Sequence, residues 1–392
     1  MKNFIFYSTL FSVFTEALLF NIGFDIKFFY VVVLINIIIF IVFNSVVYSR
    51  GLLLFHSVLL FSGLYSCIFG YNDFGYFFVQ FFFMLLIPIY YYTYFTFFED
   101  RIEDIVFIYC QICFALAVIG FLKLPYDISI GRSLDSLLLE PAHYCTIVLP
   151  AYFITLKEER FPRYYFLVIL LSIIVSGSSL GIIGIGVSML LYARRISFIK
   201  AIASVFIVVF IGGIVYTTFE PFKLRLDDTV NSSINGDLSK ANLSTYALLS
   251  NFYVSTQSIL SNPLLGNGIG SHINSRKLYL GSIEGIEVFE KMEMDTLNAQ
   301  DAGSLFSRVM SELGLVGLIG IFYFIWKFYV ASTEDELSLH TIVSRGIILY
   351  FFAKLFREGH YFSPEMYFFV FLYVFNKYES VKHETLKLTN AQ

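Results

Sequence analysis

Long runs of apolar residues follow one another along almost the whole chain. Each is a candidate membrane helix, because a helix rises about 1.5 Å per residue and about 18 or more apolar residues cross about 30 Å of hydrocarbon. The runs lie at roughly 4–22, 28–48, 52–70, 76–98, 105–122, 141–156, 164–177, 180–193, 197–218, 304–330, 340–356 and 364–376. A membrane β-barrel would instead need alternating strands of about ten residues. We therefore predict an all-α polytopic membrane protein of about twelve transmembrane helices, with 1–392 forming a single integral membrane domain.

The composition supports a membrane protein and gives no sign of a nucleic-acid partner. Charged residues make up 14% of the chain, hydrophobic residues 57% and aromatic residues 19%, whereas about 25% of residues are charged in a typical soluble protein. The net charge is −4 and there is no long basic run. A clustered basic face is the usual mark of nucleic-acid binding, so we expect no such partner.

The runs at 164–177 and 180–193 are short, and one interrupted hairpin is an alternative to two separate spans. Where the two runs meet, the sequence reads SGSSLG at 176–181, with Gly177 and Gly181 four residues apart. Small residues at this spacing let two membrane helices approach closely. We therefore expect this motif to serve helix packing.

Lysine and arginine orient the chain in the membrane. They collect in alternate connections, namely at Arg50, Arg101, Lys157, Arg160, Arg163, Arg194, Arg195, Lys200, Lys377, Lys382 and Lys387. Because cytoplasmic connections carry an excess of positive residues, we place these connections and both termini in the cytoplasm. The polar stretch 219–303, between the ninth and tenth runs, then forms one long extracytoplasmic loop, and 123–140 and 356–363 lie on the same outer side.

The segment LFREGHYF, 355–362, concentrates charge in a chain that otherwise avoids it. Helical spacing places Lys354, Arg357 and either His360 or Tyr361 on one side, if the helix continues through Gly359. The alternative is that Arg and Tyr only anchor the helix end at the headgroups. Lys354 lies one turn deeper, where a charge is costly unless it is paired. We therefore expect a buried anionic partner for this segment.

Two further outward segments carry candidate site residues. In SNPLLGNGIGSH, 261–272, alternating glycines can turn the backbone and point several N–H groups at an anion; a simple loop-closing turn is the alternative. His272, Arg276 and Lys277 follow it. In GRSLDSLLLEPAHYC, 131–145, the charged residues precede a helix that Pro141 is suited to begin, so an ordinary helix entry is the alternative there. Its candidates are Arg132, Asp135, Glu140 and His143.

The order of these motifs resembles the O-antigen polymerase family, the Wzy-type polymerases of bacterial surface polysaccharides, in the superfamily shared with O-antigen ligases. The resemblance spans roughly 120–375 and rests on EPAHY at 140–144, SGSSLG at 176–181, NPLLGNGIG at 262–270, SELGLVGLIG at 311–320 and LFREGHYF at 355–362. It implies a GT-C-like membrane fold in the bacterial inner membrane, with the active face periplasmic or extracytoplasmic.

The resemblance also implies a reaction, which belongs to lipopolysaccharide or capsule-type polysaccharide biosynthesis. A metal-independent glycosyltransferase without cofactors moves a growing glycan from undecaprenyl pyrophosphate onto the non-reducing end of a lipid-linked repeat unit, and a chain-length regulator is the expected protein partner. The outward side chains suggest roles. We assign pyrophosphate to Arg225, Arg276 and Arg357, the base to His272, His360 or Asp301, and the remaining substrate contacts to Arg132, Glu140 and His143.

Two other functions remain open at this point. The related O-antigen ligases look to carry a His shortly before the Glu-Leu-Gly motif. The corresponding stretch of this chain reads NAQDAGSLFSR, with Asp301 and no His. Many relatives place an Arg about twenty residues before the Pro-Leu-Gly turn, where this chain has Lys240. A lipid-linked oligosaccharide flippase would show two related halves with cations near the midplane. We see no such repeat and therefore favour the polymerase.

Overall fold

The computed structural model describes residues 1–21, 25–43, 45–192, 241–283, 285–294, 296–331 and 338–390, with single positions 223, 227, 230, 238 and 239. The helices run in chain order as α1 Lys2–Ser12, α2 Phe28–Val42, α3 Arg50–Ile68, α4 Phe74–Phe97, α5 Ile102–Ser129, α6 Pro141–Lys157, α7 Arg163–Val175, α8 Ser179–Tyr192, α9 Leu243–Ser261, α10 His272–Tyr279, α11 Ile286–Lys291, α12 Leu305–Lys327, α13 Leu339–Arg357 and α14 Met366–Asn390. The predicted span 197–218, Arg225 and Lys240 lie outside the described residues.

The protein is built from helices suited to a membrane. In the described part of the chain, five helices are long and apolar enough to cross one: Arg50–Ile68, Phe74–Phe97, Glu99–Ser129, Leu305–Lys327 and Leu339–Arg357. Large apolar side chains cover their outward surfaces, among them Leu54, Phe61, Ile319 and Trp326. Such a surface suits contact with lipid. The all-α membrane prediction is confirmed in this coarse form, and the number of about twelve spans stays a prediction.

The first apolar run is not one helix, which corrects the prediction for 4–22. Helix α1 ends at Ser12, and a short antiparallel ladder follows, in which β1 Leu19–Asn21 pairs with β2 Asp25–Lys27. Glu16 lies in the break and is buried, with its Oε1 2.9 Å from Lys27 Nζ. A carboxylate in the middle of a lipid-facing helix is costly, and the break brings Glu16 into the protein interior beside a cation.

Helices α6 and α13 form the centre of the bundle. Every residue of α6 from His143 to Thr155 is buried, as expected for a helix that is apolar on all faces and enclosed by others. The two helices pack along each other, and Gly346 of α13 sits where a Cβ would lie 3.1 Å from the carbonyl oxygen of Pro150. The candidate site residues of α6 and α13 are therefore attached to the most enclosed pair of helices.

The two ends of the bundle are distinct. At one end Arg160 pairs with Glu103 and Lys382 pairs with Asp100, at 3.0 and 3.1 Å, and Lys2 lies over the ring of Phe97. The N-terminus, the C-terminal helix and the start of α5 thus share that end. Helix α13 begins there, with His340 and His383 in ring contact, and it ends at the opposite end with LFREGHYF.

The polar stretch predicted as the long loop contains helices in its described part. Helix α9 packs along α12, and α9, α10 and α11 enclose a small hydrophobic cluster of their own. That cluster contains Leu238, Ala241, Tyr246, Leu280, Ile283, Ile286 and Phe289. The segment is thereby tied to the bundle next to the end that carries LFREGHYF, since Ser244 of α9 contacts Arg357.

Candidate functional site

Two glycine-rich segments, NPLLGNGIG at 262–270 and SELGLVGLIG at 311–320, pack against each other through backbone hydrogen bonds. In NPLLGNGIG the backbone N–H groups of Asn267 and Gly268 donate to the carbonyl oxygens of Ser311 and Glu312, each at 2.8 Å. Helix α12 is broken at Gly314, whose φ of 59° and ψ of −150° are not helical. The N–H groups expected to face an anion are used inside the protein. The loop-closing interpretation of this motif is therefore favoured.

Glycine is required at this contact because no side chain fits. A Cβ on Gly266 would lie 2.6 Å from the carbonyl carbon of Glu312, and a Cβ on Gly314 would lie 2.7 Å from the carbonyl oxygen of Pro263. Both glycines also have positive φ, which residues with a Cβ rarely adopt. Two of the motifs that carry the family resemblance are thus parts of one structural contact.

His272, one of the three candidate bases, lies inside this part of the protein. Its Nδ1 is 2.9 Å from Ser311 Oγ and its Nε2 is 3.0 Å from Asn251 Oδ1, and the side chain is fully buried. Burial lowers the pKa of His272, and the charges of Arg276 and Arg308 lower it further, to about 3. The imidazole is neutral and enclosed, which favours a structural role.

Arg276 is likewise held by its own neighbours. Its Nη1 donates to Asn251 Oδ1 at 2.7 Å and to Ser250 Oγ at 3.1 Å, and its Nη2 donates to Tyr246 Oη at 3.0 Å. The side chain is buried. These contacts join α10 to α9, so the guanidinium stabilises the outer segment. Its hydrogen bonds are made inside the protein, which does not favour the predicted contact with pyrophosphate.

His360 and Asp301, the other two candidate bases, are brought together. His360 Nε2 lies 2.9 Å from Asp301 Oδ2, with 55% of the histidine side chain exposed and 12% of the aspartate side chain. Burial by itself raises the pKa of Asp301, but the contact with His360, the N–H of Gly303 and the charge of Arg308 outweigh it and lower the pKa to about 2. Asp301 is therefore ionised at neutral pH and can hold the imidazole in one orientation.

A close backbone approach positions this pair. A Cβ on Gly359 would collide with the carbonyl oxygen of Asp301, so only glycine lets the loop carrying His360 lie against the segment carrying Asp301. From the other side Arg308 Nη1 donates to the carbonyl oxygen of Gly359 at 2.9 Å, and its guanidinium lies 3.9 Å from the ring centre of Tyr361. These contacts fix the LFREGHYF segment on α12.

Arg308 was not among the site residues predicted from the sequence, because it lies within an apolar run. It is buried, its Nε is 3.3 Å from Glu312 Oε1, and its Nη2 donates to Gln80 Oε1 at 3.0 Å. The signal that could have found it is an Arg and a Glu four residues apart in a predicted span. Charges in such positions are costly and usually have a function or a partner.

Arg357 differs from these buried arginines. It ends α13 and is partly exposed, and its Nη2 donates to Ser244 Oγ at 3.4 Å. Among the described residues no carboxylate lies within ion-pair distance of it. A guanidinium without an acidic partner at a partly open position is suited to bind an external anion such as phosphate.

Lys354, one turn deeper, has its partners inside the chain. Its Nζ lies 2.6 Å from Glu358 Oε2 and 3.1 Å from Glu365 Oε1, and it donates to Ser363 Oγ at 2.7 Å. Lys354 and Glu365 are fully buried. The buried anionic partner predicted for Lys354 is thus present in the protein itself, and Lys354 is not open to a ligand at the surface.

His143 faces the same buried acids from the other side. Its Nδ1 contacts Glu16 Oε2, while its Nε2 lies 3.5 Å from Glu365 Oε2 and 3.9 Å from Glu358 Oε1. The side chain is almost completely buried. It connects α6 with the break after α1 and with the connection between α13 and α14, and these contacts use both of its ring nitrogens inside the described structure.

Arg132 and Glu140 lie in a separate group. Arg132 Nη2 is 2.8 Å from Asp135 Oδ2 and 2.9 Å from the carbonyl oxygen of Leu139. Glu140 is exposed at the N-cap of α6, with Pro141 in the first turn as predicted. Within the described residues, no hydrogen bond or ion pair joins either side chain to His360 or Asp301. Their sugar contacts, like the role of Arg225, stay predictions.

No protein-family model and no curated protein matches this chain. The proposal of a function therefore depends on the motifs in the sequence and on the chemistry of the groups just described.

Proposed function

We propose that the chain is a polysaccharide polymerase of the O-antigen or capsule type, a membrane glycosyltransferase that uses undecaprenyl-pyrophosphate-linked glycans. One observation carries the proposal: an exposed histidine held by an ionised aspartate lies three residues from an arginine that has no acidic partner in the described chain. Together they supply a base for a sugar hydroxyl and a cation for a pyrophosphate, which are the two needs of this reaction.

His360 is the base in this mechanism. Its Nε2 faces Asp301, so the N–H at Nε2 donates to the carboxylate and the lone pair at Nδ1 is left for a proton. The acceptor hydroxyl of the next lipid-linked repeat unit gives its proton to Nδ1 as its oxygen bonds to the anomeric carbon of the donor glycan. Asp301 stabilises the imidazolium that forms, as in other His–Asp pairs.

Arg357 stabilises the leaving group. The bond between the anomeric carbon and the pyrophosphate oxygen breaks as the new glycosidic bond forms, and its electron pair stays on the pyrophosphate of the lipid carrier. A guanidinium remains charged at all relevant pH values and donates two parallel hydrogen bonds to phosphate oxygens. The step needs no redox partner, and proton and electrons balance between His360 and the leaving pyrophosphate.

The location fits a lipid-linked substrate. LFREGHYF lies at the bundle end opposite both termini, and the positive-inside distribution of Lys and Arg assigns that end to the extracytoplasmic side. The apolar surface of the helices provides a place for the polyprenyl tail beside a polar end for the glycan. We accordingly propose the bacterial inner membrane as the location and a chain-length regulator as a partner.

The decisive experiment compares two substitutions in the parent bacterium from which the gene for this chain has been deleted. Arg357→Ala and His360→Ala are expressed at matched membrane levels, and surface glycan is separated on a gel. We expect each to collapse the ladder of long chains to a single repeat unit, by roughly a hundredfold or more in polymerised material. Arg160→Ala, an exposed arginine at the opposite end, serves as the matched control and should leave the ladder intact.

Each other outcome counts against the proposal in a defined way. Loss of all surface glycan in the deletion strain, including the single unit, would indicate a flippase. A normal ladder left unattached to its lipid core would indicate a ligase. An intact ladder in both variants would remove the site from LFREGHYF.

A further inference from the structure

Three buried ligand atoms, one from α6 and two from the connection between α13 and α14, meet below LFREGHYF. They are His143 Nε2, Glu358 Oε1 and Glu365 Oε2, which all lie within 4.8 Å of one another. None of the three has a hydrogen-bond partner outside this group among the described residues. Buried polar atoms are almost always hydrogen-bonded. Here three atoms of types that commonly bind metals lack such partners, and they lie next to one another.

The distances are those of ligands around a cation. His143 Nε2 lies 3.5 Å from Glu365 Oε2 and 3.9 Å from Glu358 Oε1. A charge-assisted hydrogen bond would draw nitrogen and oxygen to about 2.7–2.9 Å. By contrast, two ligands at about 2.0–2.2 Å from a tetrahedral Zn²⁺ are separated by roughly 3.3–3.6 Å. Both distances are longer than a charge-assisted hydrogen bond; the shorter one lies in the range for two zinc ligands, and the longer one exceeds that range by about 0.3 Å.

The surrounding groups orient the three ligands as metal-site neighbours do. His143 Nδ1 contacts Glu16 Oε2, which leaves the lone pair of Nε2 directed at the two glutamates. Lys354 Nζ holds the other oxygen of each glutamate, at 2.6 and 3.1 Å. A carboxylate on the second nitrogen of a ligating histidine, and hydrogen bonds on the second oxygen of ligating carboxylates, are typical of protein metal sites.

The charges of the cluster also leave room for a cation. Three carboxylates, on Glu16, Glu358 and Glu365, meet two ammonium groups, on Lys27 and Lys354. Glu358 Oε1 and Glu365 Oε2 are both buried, and neither accepts a hydrogen bond from the two lysines. A buried carboxylate oxygen without a positive neighbour is unfavourable, so a positive species between the imidazole and the glutamates would stabilise the fold.

We propose that His143, Glu358 and Glu365 bind a divalent cation, with Zn²⁺ as the first candidate. The ion would join α6 to the connection between α13 and α14. The ion has a positioning role: Glu358 lies between Arg357 and the segment of His360, so the ion holds both at the end of the bundle. The inference is independent of the glycosyl transfer proposed above, because it depends only on buried protein groups.

The wild-type protein tests the proposal directly. It is purified in detergent through a tag without histidines, and its metal content is measured by mass spectrometry. We expect about one zinc per chain, and after removal of metal with a chelator, ZnCl₂ alone should raise the unfolding midpoint by roughly 5 °C. A protein that holds less than about a tenth of an equivalent and does not respond to ZnCl₂, MnCl₂ or MgCl₂ would show that a proton on His143 fills this place instead.

Variants then locate the ion. Glu365→Gln keeps the shape of the side chain and should lower bound zinc at least tenfold, as should His143→Ala. His56→Gln is the matched control, since His56 is a buried histidine with Nδ1 2.6 Å from Tyr48 Oη and Nε2 3.0 Å from the carbonyl oxygen of Met84. It should keep the wild-type zinc content. Zinc retained equally in all three variants would place the ion elsewhere and overturn the proposal.

Discussion

Two histidines contact carboxylates on opposite sides of the connection between α13 and α14. His360 stands at the surface and, among the described residues, has Asp301 as its one carboxylate partner. His143 lies inside, with three carboxylates around it and two lysines behind them. More than half of the His360 side chain is exposed, so water screens much of the charge on the histidine of the outer pair. The inner group has no such screening, and its charges must compensate one another.

The difference between the two histidines shows how the LFREGHYF segment can be held firmly in the protein and still present side chains at the surface. Lys354, Glu358 and Glu365 hold the segment from within, at contacts of 2.6 and 3.1 Å. Arg357 and His360 lie on the outer side and make few contacts with the rest of the described protein. We therefore expect changes on the outer side to affect function with little effect on stability, and changes on the inner side to affect stability first.

The outer histidine provides the largest expected effect. His360→Gln removes the base and should lower polymerisation in membranes by about 10²–10⁴-fold, while the free energy of unfolding changes by less than about 0.5 kcal/mol. Polymerisation is measured with a lipid-linked repeat unit in isolated membranes, and stability by thermal unfolding in detergent.

A matched histidine makes this prediction specific. His383 is also exposed, with its Nε2 3.4 Å from Glu379 Oε1, but it lies on the C-terminal helix at the other end. His383→Gln should keep full activity. A loss of activity in both variants would show that exposed His–carboxylate pairs matter to this protein only for expression or folding.

Lys354 tests the inner side. Lys354→Met keeps the length of the side chain and leaves Glu358 and Glu365 without their common cation, which should cost about 3–5 kcal/mol of stability. The same substitution one turn later, Arg357→Met, should cost less than about 0.5 kcal/mol and abolish the glycan ladder. The measurement is thermal unfolding of both variants in the same detergent. Equal stability losses would contradict the distinction between the two sides.

Gly359 joins the two sides, and its substitution should have an intermediate effect. In Gly359→Ala the new methyl group would collide with the carbonyl oxygen of Asp301, so we expect a loss of about 1–3 kcal/mol together with reduced polymerisation, as His360 shifts away from Asp301. Gly281→Ala is the control, because nothing lies within 4 Å of a Cβ at that position. Wild-type activity in Gly359→Ala would show that the distance between His360 and Asp301 is not important.

The sequence was sufficient to locate most of the apolar helices. Helix α7 Arg163–Val175 and helix α12 Leu305–Lys327 begin within one residue of the runs predicted at 164–177 and 304–330, because an apolar run is a local property of the sequence. The break after Ser12 was not predicted. Its cause is the burial of Glu16 next to Lys27, a contact between segments that periodicity does not reveal.

The candidate site could be predicted only residue by residue. Arg357, His360 and Asp301 were chosen for their chemistry and proposed side, but their sequence positions do not show that His360 meets Asp301 while His272 is enclosed. Glu365 and Arg308 were not among the candidate residues, since each lies in a run predicted to span the membrane. In both cases the charge itself was the signal, because charges in such runs need partners from elsewhere in the fold.

His272 gives the smallest expected effect and extends the comparison to a histidine that forms no ion pair with a carboxylate of the described residues. Because its folded pKa is lowered to about 3 from an ordinary value of 6.5, the unfolded chain takes up the proton first and stability falls as the pH drops below about 6.5. At pH 5.5 this cost is about 1.4 kcal/mol. His272→Gln cannot take up that proton, so the loss of stability between pH 7.5 and pH 5.5 should be smaller by that amount than in the wild type, as measured by thermal unfolding. An equal loss in both proteins would mean that His272 is already charged in the fold, and the interior around Arg276 and Arg308 would then have to accept a third positive charge.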